Sequence, residues 1–196
     1  MSDDLRHRLV RAASRAGARS SDFDLSPDLV LPANRVLKPA AVMIPVTGSG
    51  EVILTTRSAR LKHHPGQVAF PGGRQDPEDA TLAETALRET EEEIGLGRNS
   101  VEILGELATH ETVTAYRVTP FLALVDAAAP LRPEAGEVAE VFRVPLEHLA
   151  DPAHYAIEAR RWQGRWRRYY TVPWGPYYIW GATARMLRAL AERLSQ

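Results

Sequence analysis

Apolar residues recur at helical spacing in three segments: residues 5–16, the segment that ends at Gly95, and residues 179–194. The central segment has the clearest apolar stripe, formed by Ala83, Ala86, Leu87, Thr90 and Ile94. At about 100° per residue, Glu89, Glu92 and Glu93 fall on a different side of this helix. The pattern predicts a helix that packs by one face and presents acidic side chains from another.

The ends of the central helix carry capping signals. Asp76 is the predicted N-cap, Pro77 suits the first helical position, and Asp79 occupies the acidic position of a capping box. Gly95 suits the left-handed C-cap. In the last helix the residues predicted to point inward are Trp180, Ala184, Leu187, Leu190 and Leu194.

Short apolar runs bounded by turn residues predict strands at residues 38–46, 51–56, 67–70, 101–107, 116–125, 138–144, 155–159 and 165–172. Residues 47–50 and 163–164 are predicted to close hairpins. Residues 18–36 and 127–137 are predicted to be irregular, and residues 145–150 to form a short helix. This mixture predicts a single α/β domain with a mixed sheet, residues 38–196, preceded by a helix and lead-in, residues 1–37.

Composition narrows the class of protein. The 196 residues are 44% hydrophobic and 25% charged, with a net charge of −1, which gives no general argument for nucleic acid or membrane binding. No cysteine is present, which excludes a disulfide, a thiolate zinc site and a cysteine nucleophile. We expect a cytoplasmic monomer or homodimer, because the first residues lack the apolar core of a signal peptide and the apolar runs are short.

Negative charge is concentrated in the central helix. Six acidic residues and one basic residue lie between Asp79 and Gly95, giving −5 locally, so the rest of the chain carries +4. Carboxylates three and four residues apart on a helix repel one another. Oxygen ligands on one helix face suit Mg²⁺ or Mn²⁺ rather than zinc, so a divalent cation is the expected partner.

The order of residues in this helix resembles a known family. Residues 88–96, R-E-T-E-E-E-I-G-L, are similar to the second half of the Nudix box, R-E-apolar-x-E-E-x-G-apolar, with Thr90 at the apolar position. Gly73 lies one residue further from Arg88 than in the common box, and the acid of the first half is displaced, with Asp79 nearest. The resemblance implies the Nudix fold, an α/β/α sandwich, and a hydrolase.

The residues upstream resemble one branch of that family. Ile53 to Ser58, Lys62, Gly66 and Phe70 to Gly73 are similar to the coenzyme A diphosphatase signature L-L-T-x-R-[S/A]-x3-R-x3-G-x3-F-P-G-G, which has the same longer glycine spacing. Lys62 replaces an arginine there, so the charge is kept and the bidentate fork is lost. This likeness implies hydrolysis of coenzyme A or acyl-coenzyme A to adenosine 3′,5′-bisphosphate and 4′-phosphopantetheine or its acyl form.

The expected site residues follow from these motifs. Glu89 and Glu93, one turn apart, are the first-choice metal ligands, and Glu92 is a shared ligand of a second metal or holds a metal-bound water. By resemblance, Arg88 orients the glutamates and a backbone carbonyl of Gly72 or Gly73 completes the metal shell. The assignments are Gly73 as metal ligand and, as substrate-binding positions, Arg57, Lys62 and Gly72.

The general base stays open between Glu89 and Glu92, with Glu134 and Glu137 as outside candidates that are equally well explained as loop acids. The other acids near the motifs have structural explanations, with Glu91 on the surface and Asp76 and Asp79 as helix caps. His63 and His64 lack ligand spacing and are assigned to the loop.

Residues 160–170, R-R-W-Q-G-R-W-R-R-Y-Y, hold five arginines and four aromatic residues. We expect a hairpin whose aromatic side chains pack inward while its arginines face water. The alternative is that the segment stacks adenine and binds a 3′-phosphate, or binds single-stranded nucleic acid.

Two alternatives to coenzyme A hydrolysis remain. One is hydrolysis of another nucleoside diphosphate derivative, such as ADP-ribose or NADH. The other is a non-catalytic sensor of nucleotides or coenzyme A, which would not need Glu89, Glu92 and Glu93 together.

Overall fold

The computed structural model describes residues 3–28, 34–162 and 164–195. Its longer helices are α1 (Asp3–Ser14), α2 (Leu82–Ile94), α3 (Leu146–Ala150) and α4 (Gly181–Leu194). Its strands are β1 (Ser20–Ser21), β2 (Lys38–Thr47), β3 (Glu51–Arg57), β4 (Val68–Ala69), β5 (Gly72–Arg74), β6 (Val101–Glu106), β7 (His110–Glu111), β8 (Tyr116–Val125), β9 (Val138–Pro145), β10 (Ala156–Trp162) and β11 (Arg165–Thr171). Within these ranges no helix is both long enough and apolar enough to cross a membrane.

The main sheet is mixed, as predicted. Strands β2 and β8 run parallel from the pair Lys38–Tyr116 to the pair Thr47–Val125, while β3 pairs antiparallel with β9 and β6 with β8. Both faces of β2 and β8 are covered, which explains their nearly continuous apolar sequences. Helix α2 packs on one face and α1 and α4 pack on the other, so the predicted α/β class with flanking helices is confirmed.

Helix α2 begins later than predicted. Its N-cap is Thr81, whose side chain accepts a hydrogen bond from the Glu84 backbone N–H, whereas Asp76 precedes the helix in a turn. Thr81 and Glu84 have the spacing of a capping box, and so do Asp76 and Asp79. The sequence therefore contains two possible starts for this helix. The predicted end is confirmed, because Gly95 adopts a left-handed conformation with φ 68°.

The lead-in contains a short strand that was not predicted. Ser20–Ser21 pairs in parallel with His110–Glu111, so residues 18–36 are not uniformly irregular, and residues 29–33 of that segment lie outside the described part of the chain. The prediction that Trp180 points inward from the last helix is also wrong. This residue precedes α4 as its N-cap and is half-buried, and the Arg160 guanidinium lies over its ring.

Strands β10 and β11 form the predicted hairpin, but not the predicted orientation. Trp166 is 66% exposed, whereas Arg167 is 3% exposed. Arg167 is turned inward because Asp22, itself buried, lies with Oδ2 3.7 Å from the guanidinium Nη1. Alternation along the strand then turns Trp166 outward. The expectation that every arginine faces water and every aromatic side chain packs inward is therefore wrong.

Candidate active site

Arg88 organises the acidic face of α2. Its Nη1 lies 3.0 Å from Glu89 Oε1 and 2.9 Å from Glu92 Oε2, so one donor group holds two carboxylates. On its other edge, Nε and Nη2 donate to the two carboxylate oxygens of Asp79 at 3.0 and 2.9 Å. This bidentate pair fixes the plane of the guanidinium, so the positions of Glu89 and Glu92 depend on a residue outside the helix.

Asp79 is therefore not a helix cap. Its side chain is 6% exposed, and besides Arg88 it accepts hydrogen bonds from Thr85 Oγ1 at 2.9 Å and the Asp76 backbone N–H at 3.0 Å. The hydrogen bonds from Arg88 hold the pKa of Asp79 well below its ordinary value. Sequence reasoning missed this role, although the displaced acid of the box was a signal for it.

Glu93 is the most buried of the helix acids. Its side chain is 4% exposed. Oε2 accepts a hydrogen bond from the Gly72 backbone N–H at 3.2 Å, and Oε1 lies 3.9 Å from Arg57 Nη1. Burial, reinforced by the charge of Glu89, raises the pKa of Glu93 to about 7. The residue is thus a carboxylate whose charge the protein alone does not balance.

Glu89 lies against the glycine turn. A Cβ atom at position 73 would lie 2.5 Å from the carboxyl carbon of Glu89, so only glycine leaves room for this approach. Burial raises the pKa of Glu89, and the charges of Glu92 and Glu137 add to the effect. Strand β5 holds the turn in place, since Gly73 pairs with Ala41 of β2.

The donor chemistry suits a hard divalent cation. Glu89 and Glu93 supply carboxylate oxygens whose pKa values are raised chiefly by burial and further by neighbouring carboxylates, and carboxylate oxygens are the ligands that Mg²⁺ and Mn²⁺ prefer. In the described part of the chain no three acidic or histidine side chains converge on one point, and Arg88 donates to both Glu89 and Glu92. The residues therefore fit a cation by charge and donor type.

The loop before β9 brings a further acid to this region. The Glu137 carbonyl accepts a hydrogen bond from the Ser58 backbone N–H at 2.7 Å, and the next residue, Val138, pairs with Arg57. The charge of Glu137 contributes to the raised pKa values of both Glu89 and Glu93. From the sequence, Glu134 and Glu137 were equal candidates for the general base, but in the structure they have different surroundings.

The carboxylate of Glu134 is used inside its own loop. Its Oε2 accepts a hydrogen bond from the Glu137 backbone N–H at 2.9 Å, and its own backbone N–H donates to the Glu93 carbonyl at 2.9 Å. Glu134 thus fixes the loop, while Glu137 acts on the helix acids through its charge.

Arg57 and Lys62 take different positions in the basic loop. Arg57 ends β3 and directs its guanidinium toward Glu93. Lys62 is exposed, and no ion pair joins it to another side chain of the described residues. His63 and His64 are also exposed loop residues.

Seven of the eight sequence-predicted site residues are thus linked in one contact network, consisting of Arg57, Gly72, Gly73, Arg88, Glu89, Glu92 and Glu93. Lys62 is not brought into it. Glu91 is exposed on another side of the helix and lies 3.7 Å from Arg98, as expected for a surface residue.

This chain is similar to proteins of one family. Residues 36–165 match the model of the NUDIX domain family. Curated relatives from Yersinia pestis (strain Pestoides F) and Yersinia pseudotuberculosis (serotype O:1b), both called "Uncharacterized Nudix hydrolase NudL", are each 41% identical over 159 residues, or 80% of this chain and 79% of theirs. Among solved structures, a MutT protein from Methanosarcina mazei Go1 is 24% identical, with a TM-score of 0.49 over 60% of this chain and 83% of that chain.

The family match spans the sheet, helix α2 and the glycine turn, which are the elements that form the candidate site. The mixed sheet with flanking helices is thus a Nudix fold. The chain belongs to the Nudix family of hydrolases, which act on pyrophosphate bonds.

Proposed function

We propose that this Nudix hydrolase cleaves the diphosphate of coenzyme A or acyl-coenzyme A, using Mg²⁺ or Mn²⁺. The products are adenosine 3′,5′-bisphosphate and 4′-phosphopantetheine or its acyl form. The observation that carries the proposal is the position of Arg57. This residue belongs to the upstream signature, and its guanidinium points at Glu93 of the acidic helix. Signature and helix therefore meet at one site.

Nudix hydrolases generally use divalent metal ions, which here would neutralise phosphate oxygens and activate water. We assign Glu89, Glu93 and the Gly73 carbonyl as ligands. Glu93 is oriented by the Gly72 N–H, and Glu89 by Arg88 and the space that Gly73 leaves. Glu92 is 59% exposed, so it can also hold a metal-bound water.

The phosphate groups are assigned to the cationic side of the site. Arg57 has a planar guanidinium that can donate to a phosphate oxygen while its Nη1 stays near Glu93. Lys62, exposed in the following loop, is the second assigned phosphate-binding residue, and it acts as a point charge. Gly72 is the third assigned substrate-binding position, and its backbone N–H donates to Glu93 Oε2 at 3.2 Å.

Glu92 is the assigned proton acceptor for the attacking water, because Arg88 holds one of its carboxylate oxygens and the side chain reaches solvent. Glu137 is its rival, since its charge reaches both Glu89 and Glu93. Glu92→Gln and Glu137→Gln decide between them. The assigned base should lose roughly 100-fold or more in kcat, and the other residue should lose much less.

The test of the substrate is a panel assay with Mg²⁺ or Mn²⁺. Coenzyme A, acetyl-coenzyme A, ADP-ribose and NADH are compared by kcat/KM, and the products are identified after reaction in ¹⁸O-water. We expect the two coenzyme A compounds to be preferred. Cleavage of ADP-ribose or NADH without cleavage of coenzyme A would refute the coenzyme A assignment and leave the hydrolase class intact. Tight binding of coenzyme A without turnover would favour a sensor.

Two substitutions test the assigned roles in the same assay. Arg57→Ala should raise KM by about 10-fold, the order expected for one charge-assisted contact, while Arg60→Ala in the same loop serves as the control. Glu93→Gln should lower kcat by at least roughly 100-fold. Near-normal rates of Glu93→Gln at saturating Mg²⁺ would show that Glu93 is not a metal ligand.

A further inference from the structure

The β10–β11 hairpin is strongly positively charged. Residues 156–171 contain five arginines and one glutamate, a local charge of +4 in a chain whose net charge is −1. Arg167 is buried next to Asp22, while the other four arginines are exposed: Arg160, Arg161, Arg165 and Arg168. A surface of this kind attracts anions.

One of these arginines belongs to an aromatic cluster. The Cζ atom of Arg160 lies 4.1 Å from the centroid of the Trp180 ring. The Trp180 ring is 5.1 Å from that of Tyr169, at 63°, and 6.5 Å from that of Tyr178. Trp180 is half-buried and Tyr178 is 43% exposed. Arg160 is therefore held over a ring at the surface, with its other side facing solvent.

Hydrogen bonds fix the cluster. The Tyr178 hydroxyl donates to Glu158 Oε2 at 2.6 Å and lies 3.5 Å from the Tyr169 hydroxyl. Burial, together with the bond to Glu158, raises the pKa of Tyr178, so the hydroxyl stays protonated. Glu158 is thereby engaged, and within the described ranges no ion pair joins Arg160 to a carboxylate.

The strand opposite adds to this imbalance of charge. Arg160 pairs across the hairpin with Arg167, so its direct neighbour is another cation, and like charges opposite each other are unfavourable. Asp22 lies beside Arg167 on the buried side, whereas Arg160 has no carboxylate partner among the described residues.

The cluster is attached to the strand end that carries Arg57. Thr183, in the first turn of α4, donates through Oγ1 to the Val68 carbonyl at 3.1 Å, and Val68 pairs with Thr56. The Tyr177 hydroxyl donates to Glu140 Oε1 at 2.7 Å, and Glu140 also pairs with Thr56. Two independent hydrogen bonds thus fix the chain on both sides of Trp180 to the two strand neighbours of Thr56, the residue that precedes Arg57.

We propose that Arg160, Tyr169, Tyr178 and Trp180 form the subsite for the nucleotide end of the substrate. The base stacks on the plane of Arg160 and Trp180 or on the exposed ring of Tyr178. The phosphate on the ribose accepts hydrogen bonds from the guanidinium of Arg160. Stacking on aromatic and guanidinium planes is the common way in which proteins hold unpaired bases, and guanidinium groups match phosphate geometry. This inference rests on the proposed function for its substrate class.

The experiment compares Arg160→Ala with Arg161→Ala. Arg161 is the adjacent exposed arginine on the opposite face of the same strand, which makes it a matched control. KM and kcat are measured for coenzyme A and for dephospho-coenzyme A, which lacks the 3′-phosphate. We expect Arg160→Ala to raise KM for coenzyme A by about 10-fold, the order expected for one charge-assisted hydrogen bond. The increase should be clearly smaller for dephospho-coenzyme A, with kcat nearly unchanged for both compounds.

Direct binding separates this inference from the proposed function. Adenosine 3′,5′-bisphosphate is titrated by calorimetry into the full chain and into both variants without metal. If the wild type does not hydrolyse coenzyme A, the proposed function fails, and weaker binding by Arg160→Ala than by Arg161→Ala still supports the subsite.

Two results would overturn the subsite. One is that Arg160→Ala and Arg161→Ala give the same result. If coenzyme A is hydrolysed, the quantity compared is KM for coenzyme A; if it is not, the quantity compared is the affinity for adenosine 3′,5′-bisphosphate. The other is that a single-stranded oligonucleotide binds more tightly than the bisphosphate and depends on Arg160, which would identify a nucleic acid surface. Thermal unfolding checks that both variants fold.

Discussion

Glu93 makes the metal-free protein less stable than it would be with a neutral residue at this position. Burial and the neighbouring charge of Glu89 raise its pKa from 4.5 to about 7. At pH values above 7 the carboxylate is ionised in both the folded and the unfolded chain, and the difference between the two pKa values corresponds to roughly 3 kcal/mol. The folded state bears this penalty because the side chain is 4% exposed.

The pH dependence follows from the direction of the shift. The folded state binds the Glu93 proton more tightly than the unfolded state, so this contribution to stability is fully present below pH 4.5 and is lost as the pH rises to about 7. Glu93→Gln removes the titrating group and keeps the shape, and the amide oxygen of the new side chain would still accept the hydrogen bond from Gly72. We therefore expect the variant to gain up to roughly 3 kcal/mol at pH 8 and about 1 kcal/mol at pH 5.

The assay is urea unfolding in the presence of a chelator, at half-unit steps from pH 5 to pH 8. Glu91→Gln is the matched control, because Glu91 lies on the exposed side of the same helix, and it should leave the pH dependence of unfolding unchanged. Excess Mg²⁺ should stabilise the wild type and not Glu93→Gln, which lacks the carboxylate proposed as a metal ligand. Equal stability of wild type and Glu93→Gln at pH 8 without metal would refute the claim that the charge of Glu93 is unbalanced.

Three further predictions concern residues that support the site or the fold. Asp79→Asn should lower kcat by about 10- to 100-fold, because Arg88 loses its bidentate partner; steady-state kinetics measure this. Gly73→Ala should lower activity at least about 10-fold, since the added Cβ displaces Glu89. The maximal rate and the Mg²⁺ concentration that gives half of it are measured for the wild type and for the variant. Asp22→Asn should destabilise the fold by roughly 3 kcal/mol in urea, because the buried guanidinium of Arg167 loses the charge of the carboxylate that lies 3.7 Å away.

Each of these predictions has a control of the same residue type. Asp76→Asn removes a more exposed acid that is 3.6 Å from Arg88, so it should cost little activity. At Gly97 an added Cβ would meet nothing closer than 3.9 Å, so Gly97→Ala should be neutral. Asp24 pairs with Arg185 at a more exposed position, and Asp24→Asn should cost at most about 1 kcal/mol. If a control variant loses as much activity or stability as its test variant, the contact that the test variant removes does not have the role given to it.

Helix α2 shows what the sequence can predict. Its packing face follows from spacing alone, and Ala86, Thr90 and Ile94 are buried as predicted. Its C-cap also follows from a local rule, because Gly95 adopts a left-handed conformation at low cost. Features like these depend on residues within a few turns of each other, and the sequence displays them directly.

The hairpin shows what the sequence cannot predict. Alternation tells which side chains of β11 share a face, but not which face is buried. That choice depends on Asp22, which lies far away in the chain and draws Arg167 inward. A burial pattern based on hydrophobicity assigns the opposite face, because it takes no account of a distant buried carboxylate.

The two departures from the generic Nudix box have one structural explanation. The residues between Gly73 and helix α2 fold back around Arg88, whose Nη2 donates to the Arg74 carbonyl at 3.4 Å and to Asp79 at 2.9 Å. The Gln75 side chain closes this turn by donating to the Asp79 carbonyl at 3.2 Å. The longer spacing provides the chain for this turn, and the turn brings the displaced acid to the arginine. The longer spacing between Gly73 and Arg88 and the displaced acid, Asp79, thus both belong to one turn, which orients the Arg88 guanidinium toward Glu89 and Glu92.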